Sequence, residues 1–267
     1  MSRSGEPSDK PACADHEPSP IEQKLRAQTP ARLLAGRSGA AYRTTTQLDL
    51  REAHAAARDA VGTELDLFAD FGQDFADQWN LFEVCSQATS KHEYLVRPDL
   101  GRRFSAASRA EMEKRCPAEP DFLILIGDGL SATAVKAQVP QLLPLLFAGA
   151  QTRGWQTPSV PVVRYCRVGI LNEIGELLKP IVAVLLIGER PGLATAESLS
   201  AYMAYRPKAS DTDANRNLIS NIHARGVTPQ SAADRILNLA ALMMLSQTSG
   251  YQLREELSPE RPAARLI

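Results

Sequence analysis

The sequence predicts an α/β protein, a mostly parallel sheet flanked by helices and preceded by a helical appendage. Three observations carry this. Ile181-Val182-Ala183-Val184-Leu185-Leu186-Ile187 is apolar throughout, with several β-branched residues and no in/out alternation, the pattern of a strand buried on both faces. Two further runs, at 122–126, wholly apolar, and at 160–165, apolar but for Arg164, alternate with stretches of helical length, which argues for repeated strand–helix units. Each run then breaks into glycine, charge or both. In an open α/β sheet, ligands sit beyond the carboxyl ends of the strands, where these breaks fall.

Taken in order, residues 1–20 read as a disordered tail, because they are rich in Ser, Glu, Asp and Pro and have little to bury. Ser19-Pro20 opens a short helix carrying Ile21 and Leu25. Leu33 and Leu34 lead into a Gly36-Arg37-Ser38-Gly39 loop. Helical spacing covers 44–61, with His54 as a half-exposed helix residue, and a second amphipathic helix covers 65–79 with Leu67, Phe68, Phe71 and Phe75. Residues 21–80 are therefore expected as a helical appendage outside the sheet. The sheet region opens with a strand at 81–85, and Tyr94-Leu95-Val96 is a second short strand candidate. In Arg97-Pro98-Asp99-Leu100-Gly101-Arg102-Arg103 a proline break is followed by a basic pair entering a helix over 103–116. Such a cluster can hold a phosphate or carboxylate; the alternatives are a charged helix start or a subunit contact.

The run at 122–126 enters Gly127-Asp128-Gly129-Leu130-Ser131 and then an apolar helix over 132–150 containing Pro140 and Pro144. Strand, GxG turn and helix is the shape of a nucleotide-binding unit. The third glycine of the dinucleotide fingerprint is missing, however, and a close-packed turn with Ser131 as helix cap is the alternative. The strand at 160–165 passes through Cys166-Arg167-Val168-Gly169 into a helix over 171–178. The strand at 181–187 ends at Gly188-Glu189-Arg190-Pro191-Gly192, where Pro191 and Gly192 impose a sharp turn. Placed just past a buried strand, the Glu189 side chain is expected to have no part in the core. Residues 198–205 form an edge strand, 206–217 a loop rich in Asp and Asn, and Thr228-Pro229 opens a long C-terminal helix with Ile236, Leu239 and Leu242.

Composition sets limits. The chain has 267 residues, 44% hydrophobic and 23% charged, enough for one large domain or a domain plus an appendage. A net charge of −1 gives no electrostatic reason to expect nucleic acid or an anionic membrane surface. The apolar run at 181–187 is far too short to span a bilayer. The N-terminus is polar where a secretory signal needs an apolar core. Cys13, Cys85, Cys116 and Cys166 are scattered without a CxxC pair, so free thiols in a reducing cytosol are expected rather than a zinc site or disulfide framework.

Six segments together carry a resemblance. They are 97–103, Asp128-Gly129-Leu130-Ser131, Arg164-Tyr165-Cys166-Arg167-Val168, Gly188-Glu189-Arg190-Pro191-Gly192, Glu197-Ser198-Leu199-Ser200 and Ile219-Ser220-Asn221-Ile222-His223. In this order, and covering most of the chain from about residue 25, they resemble the small subunit (light chain) of ethanolamine ammonia-lyase.

The resemblance implies a Rossmann-like cobalamin-binding domain over 81–267, with the appendage at 21–80 contacting a large barrel subunit. It implies a lyase that converts ethanolamine to acetaldehyde and ammonia by a radical mechanism, in a hetero-oligomer of several such pairs. Adenosylcobalamin would be held between the subunits, and the large subunit would carry the substrate site. By motif, Val168, Glu189 and Leu218 would touch the cofactor. The family commonly has cysteine at the position of Leu218, so a thiol-specific role is excluded here and a backbone or van der Waals contact remains. Glu189 offers an acceptor for amide side chains or ribose hydroxyls of the cofactor. None of the four histidines sits in a DxHxxG motif, so the cofactor's own base is expected to stay on cobalt, with His223 packed or hydrogen-bonded. No residue is assigned a catalytic or metal-binding role, and the chain is expected to be inactive alone. The location implied is cytoplasmic, with a bacterial microcompartment as an option because N-terminal segments of this subunit can direct the enzyme there. Two other classes stand beside this one: a stand-alone nucleotide-binding α/β enzyme, suggested only by the GxG turn, and a non-catalytic scaffold subunit.

Overall fold

The computed structural model describes residues 19–28, 33, 35, 37–192 and 194–255. The tail expected over 1–20 therefore lies outside the described residues up to residue 18, as do Leu34 and Gly36 of the expected loop. The chain divides into two compact units, one ending at Gln47 and the other beginning at Leu48. In the first lie helix α1 (Pro20–Gln28) and a small hairpin of β1 (Arg37–Ser38) and β2 (Ala41–Tyr42); α2 (Thr44–Gly62) runs on into the second.

Within the second unit, α3 (Leu67–Phe71) and α4 (Gln73–Gln78) replace the single helix expected over 65–79. The break is Gly72, whose φ of 80° takes it out of the helical region. Asp66 caps α3 by accepting from the backbone N–H groups of Phe68 and Ala69. Leu65, Leu67 and Ala76 are buried in the main core, so this part of the stretch expected as an appendage packs with the sheet's own unit.

The sheet strands are β3 (Leu81–Cys85), β4 (Phe122–Gly127), β5 (Val160–Arg164), β6 (Val182–Gly188), β7 (Leu199–Tyr205) and β8 (Asn217–Ile222). Their spatial order is β3-β5-β4-β6-β7-β8. The first four run parallel, and β7 and β8 are added antiparallel. The stretch at 198–205 is thus a strand, but it lies between β6 and β8; the edge belongs to β8, whose polar sequence hid it. Every residue of β4 and β6 is buried, as their unbroken apolar runs required.

The remaining helices are α5 (Lys91–Val96), α6 (Ala106–Arg115), α7 (Ala132–Thr152), α8 (Ile170–Leu177) and α9 (Pro229–Ser246). α5 corrects the strand expected at 94–96. Ser90 accepts from the Glu93 backbone N–H and the Glu93 carboxylate accepts from the Thr89 N–H, two bonds that start a helix. α6 begins at Ala106 behind the Ser105 cap, so Arg102 and Arg103 precede the helix rather than enter it.

Helices α7 and α9, with α3 and α4, cover one face of the sheet through residues such as Leu142, Leu146 and Ile236. Helices α6 and α8 cover the other through Met112, Ile170 and Ile174. Truncating a fully buried leucine such as Leu185 or Leu142 to alanine would cost about 2–5 kcal/mol. On the α6/α8 face the cover thins over β7 and β8, where Tyr202 is half-buried and Leu218 is 45% exposed.

Candidate functional site

The chain leaves β4 through α7 back towards β5, and leaves β6 in the opposite direction to β7. Where connections diverge in this way, an open sheet leaves a crevice at its carboxyl edge. A cleft of about 410 Å³ lies there, and Val168, Glu189 and Leu218 all line it, together with Leu130, Arg167 and Tyr202. Three residues separated by at least twenty positions in the chain are thus brought to one surface by β5, β6 and β8.

Val168 is held by the turn after β5. Tyr165 there is left-handed, with φ of 56°. The Asp128 carboxylate accepts from the Tyr165 N–H at 2.9 Å and the Cys166 N–H at 2.8 Å. Tyr94 donates its hydroxyl to the Cys166 carbonyl at 3.0 Å, and the Arg167 N–H reaches the Gly101 carbonyl at 2.8 Å. Asp128 is fully buried; Lys91 is its counter-ion at 3.8 Å and also donates to the Gly129 carbonyl at 3.1 Å. Burial pushes Asp128 up and the Lys91 charge partly offsets this; burial pushes Lys91 down, partly offset by Asp128. Removing one partner of such a pair costs about 3–5 kcal/mol, because the other charge is left alone. Burial also pushes the Tyr94 hydroxyl well up, which keeps it a donor. The Arg167 guanidinium lies 4.2 Å from the centroid of the Tyr94 ring.

The Glu189 side chain carries a structural load that its place past a strand did not suggest. Its carboxylate accepts from the Ser198 hydroxyl at 2.9 Å, the Ser200 hydroxyl and the Asn221 N–H at 3.1 Å. It therefore ties the end of β6 to both β7 and β8. Leu218 pairs across the strands with Tyr202 and is exposed on the cleft side. His223, 4% exposed, accepts at Nδ1 from the Arg225 N–H and faces Asn221 Oδ1 through Nε2 at 2.7 Å, so it is a hydrogen-bonded core residue. Among the described residues no three His, Cys, Asp or Glu side chains gather as metal ligands.

The GxG turn is closed by packing. Gly129 has φ of 57°, and a Cβ there would sit 2.3 Å from the Gly188 carbonyl oxygen. The Leu130 N–H donates to that same oxygen at 3.1 Å. Ser131 caps α7 by accepting from the Ala134 N–H at 3.2 Å. The space in which a phosphate would meet the turn is filled by the end of β6, which favours the close-packed reading over the nucleotide-binding one.

Sequence reasoning missed Lys91, Tyr94 and the anchoring role of Asp128. The available signals were an acid inside a GxG turn, which needs a partner once buried, and the Ser90-x-x-Glu93 helix start that puts Lys91 and Tyr94 on one short helix.

Residues 20–254 match the family model described as ethanolamine ammonia-lyase light chain (EutC). A relative named ethanolamine ammonia-lyase small subunit from Clostridium perfringens is 42% identical over 231 residues, 86% of this chain and 76% of its own length. Those of the same name from Clostridium acetobutylicum and Pseudomonas putida KT2440 are 39% and 42% identical, covering 86% and 87% of this chain and 93% and 86% of theirs. The matched span contains both the cleft and the sheet that builds it, and this chain belongs to the ethanolamine ammonia-lyase light-chain family.

Proposed function

We propose that this chain is the cofactor-holding subunit of an ethanolamine ammonia-lyase, closing over adenosylcobalamin against a large subunit that carries the substrate site. The observation that supports this best is the meeting of Val168, Glu189 and Leu218 in one cleft at the diverging strand ends. The cleft suits a corrin. Leu130, Val168 and Leu218 offer apolar contact for the ring edge, while Glu189, Arg190 and Ser200 offer polar contact for the amide side chains. Arg167 adds a buried Nε–H that has no acceptor among the described residues.

When bound, the cofactor supplies the radical chemistry that turns ethanolamine into acetaldehyde and ammonia. This chain contributes holding and shielding. Val168, fixed by the Asp128 and Tyr94 contacts, gives a rigid wall. Leu218 gives van der Waals contact without a thiol. Glu189 accepts from the cofactor with the lone pairs that its strand bracing leaves. No residue of the cleft is assigned as acid or base for the substrate, so the chain alone is inactive.

The rest of the reading goes with this. Residues 21–80 contact the large subunit, residues 1–20 are a solubilising extension, and 81–267 hold the cobalamin. The enzyme works in the cytoplasm, inside a microcompartment where the host makes one. No described helix is long and apolar enough to cross a membrane. The test is reconstitution with the large subunit. Acetaldehyde and ammonia should form from ethanolamine and adenosylcobalamin only when both chains are present. Turnover by this chain alone, or full turnover by the large subunit alone, would sink the proposal; the latter would favour a scaffold role.

A further inference from the structure

Val168 reaches the cleft at the end of Arg164-Tyr165-Cys166-Arg167-Val168, and Tyr165 in that stretch holds an uncommon conformation. Its φ of 56° is left-handed, a region that a bulky side chain enters only when its surroundings force it there. One constraint is Asp128, which accepts from the Tyr165 and Cys166 N–H groups. A second comes from the helical stretch before the sheet. The Tyr165 hydroxyl donates to Glu64 Oε2 at 3.0 Å and accepts from Arg164 Nη2 at 3.1 Å, and Arg164 Nη2 also donates to that same Glu64 oxygen. Guanidinium, phenol and carboxylate thus close a triangle.

Glu64 is the carboxylate that closes it, since Glu83 comes only within 3.8 Å of Arg164, beyond hydrogen-bond length. Arg164 is half-buried, with its guanidinium 5.1 Å from the centroid of the Tyr165 ring. Burial, and then the bond to Glu64, push the Tyr165 hydroxyl up, which keeps it a donor. Among the described residues, no other hydrogen bond or ion pair joins 44–66 to the sheet strands or the turns after them. The neighbouring Leu65 is buried in the main core, so the Glu64 backbone is a fixed base for the contact. On the other side, the Tyr165 ring shares a buried cluster with Tyr94, and Leu130 packs against that cluster; Tyr94 and Leu130 both line the cleft.

We infer that Glu64 is a positioning residue for the cleft: by binding the Tyr165 hydroxyl it clamps the left-handed turn from outside the sheet, while Asp128 clamps it from inside, and the two together set where Val168 stands. The inference rests on the cofactor reading above and deepens it. Glu64 does not line the cleft and acts through Tyr165. Without Glu64 the turn still forms, because Asp128 supplies the buried contacts, but the turn is pinned at one end only. A wall that moves must be ordered when a corrin edge docks on it, and that ordering lowers affinity. The tie is part-exposed, so the loss is several-fold rather than total.

The experiment uses the complex reconstituted with the large subunit. Equilibrium dialysis measures cyanocobalamin affinity for wild type, E64A, Y165F and E64A/Y165F, each with its fold checked by thermal melting. Each single variant should bind about three- to tenfold less tightly. The double variant should bind no worse than the weaker single, because both changes remove the same contact. E64Q, whose amide oxygen still accepts from the phenol, should keep most of the affinity that E64A loses. Wild-type affinity in E64A overturns the inference, even where its Tm falls, because the tie is then structural only. Losses that multiply in the double variant also overturn it, because Glu64 then does not act through Tyr165. A second measurement needs no cofactor: amide hydrogen exchange over 164–168 in the complex should be about three- to tenfold faster in E64A, and unchanged exchange overturns the clamp. If the wild-type complex binds no cobalamin while E64A still speeds that exchange, the cofactor reading falls, and the role of Glu64 in cofactor affinity falls with it, although the clamp on the turn stands.

Discussion

Replacing Glu189 with alanine separates two duties of one carboxylate. Three donors lose their acceptor: the hydroxyls of Ser198 and Ser200 and the Asn221 N–H. Hydrogen bonds to a charged group contribute about 1.5–3 kcal/mol each when water is excluded. Glu189 is half-buried, and both hydroxyls can turn towards water, so the set should contribute about 1–3 kcal/mol in all. At about 2–4 °C per kcal/mol for a chain of this size, Glu189→Ala should melt roughly 2–12 °C lower. The reconstituted complex should also bind cobalamin about ten- to a hundredfold less tightly. The double variant S198A/S200A keeps the carboxylate and removes most of the brace. It should reproduce much of the Tm loss and little of the affinity loss. A Glu189→Ala protein with wild-type Tm would refute the bracing argument. If S198A/S200A loses as much cofactor affinity as Glu189→Ala, the carboxylate acts only by shaping the strands, and the direct contact is wrong.

Three further outcomes follow from particular contacts. Gly129→Ala puts a Cβ against the Gly188 carbonyl at a left-handed position; strain of about 1–3 kcal/mol plus that clash should lower the Tm sharply, and an unchanged melting curve would contradict the close-packed turn. Burial pushes the Cys116 thiol up to about 11 and the Cys166 thiol well above its ordinary value, so at pH 8 only about one Cys116 in a thousand is thiolate. Neither should react with an aromatic disulfide reagent until guanidinium unfolds the chain, with native labelling of Cys116 rising only as the pH climbs towards 11; rapid native labelling at pH 8, located by peptide mapping, would count against this. Deleting residues 1–18, which are rich in polar side chains and proline, should leave turnover of the reconstituted complex unchanged, and a large fall in rate would refute their dispensability.

Strands β4 and β6 were legible because burial on both faces leaves no polar residue to disguise the run, and β5 is buried in the same way up to the half-buried Arg164 at its end. β8 was not, since Asn217, Ser220 and Asn221 face partners or solvent that only the tertiary structure supplies. Tyr94-Leu95-Val96 misled because three apolar residues carry no period; the decisive signal was the Ser90 cap before them. The split at Gly72 was visible as a glycine but not as a break, because Phe71 and Phe75 keep helical spacing across it and their rings still stack, 5.8 Å apart. Val168, Glu189 and Leu218 came from family motifs and not from their chemistry. Nothing local indicates that Glu189 reaches strands β7 and β8, or that Lys91 lies under Asp128 at a separation of 37 positions, since both depend on how the chain crosses over.

The pairing of β3 with β5 has a consequence for synthesis. Leu81 stands opposite Val160, so the first sheet strand to leave the ribosome waits for a neighbour roughly eighty residues downstream. At about 5–20 residues per second that is roughly 4–16 s of translation. During that interval Leu81, Phe82 and Val84, all buried in the finished fold, have no strand beside them. β6, β7 and β8 instead pair with successive neighbours as they emerge. The nascent chain should therefore be most open to chaperone capture between the emergence of β3 and that of β5.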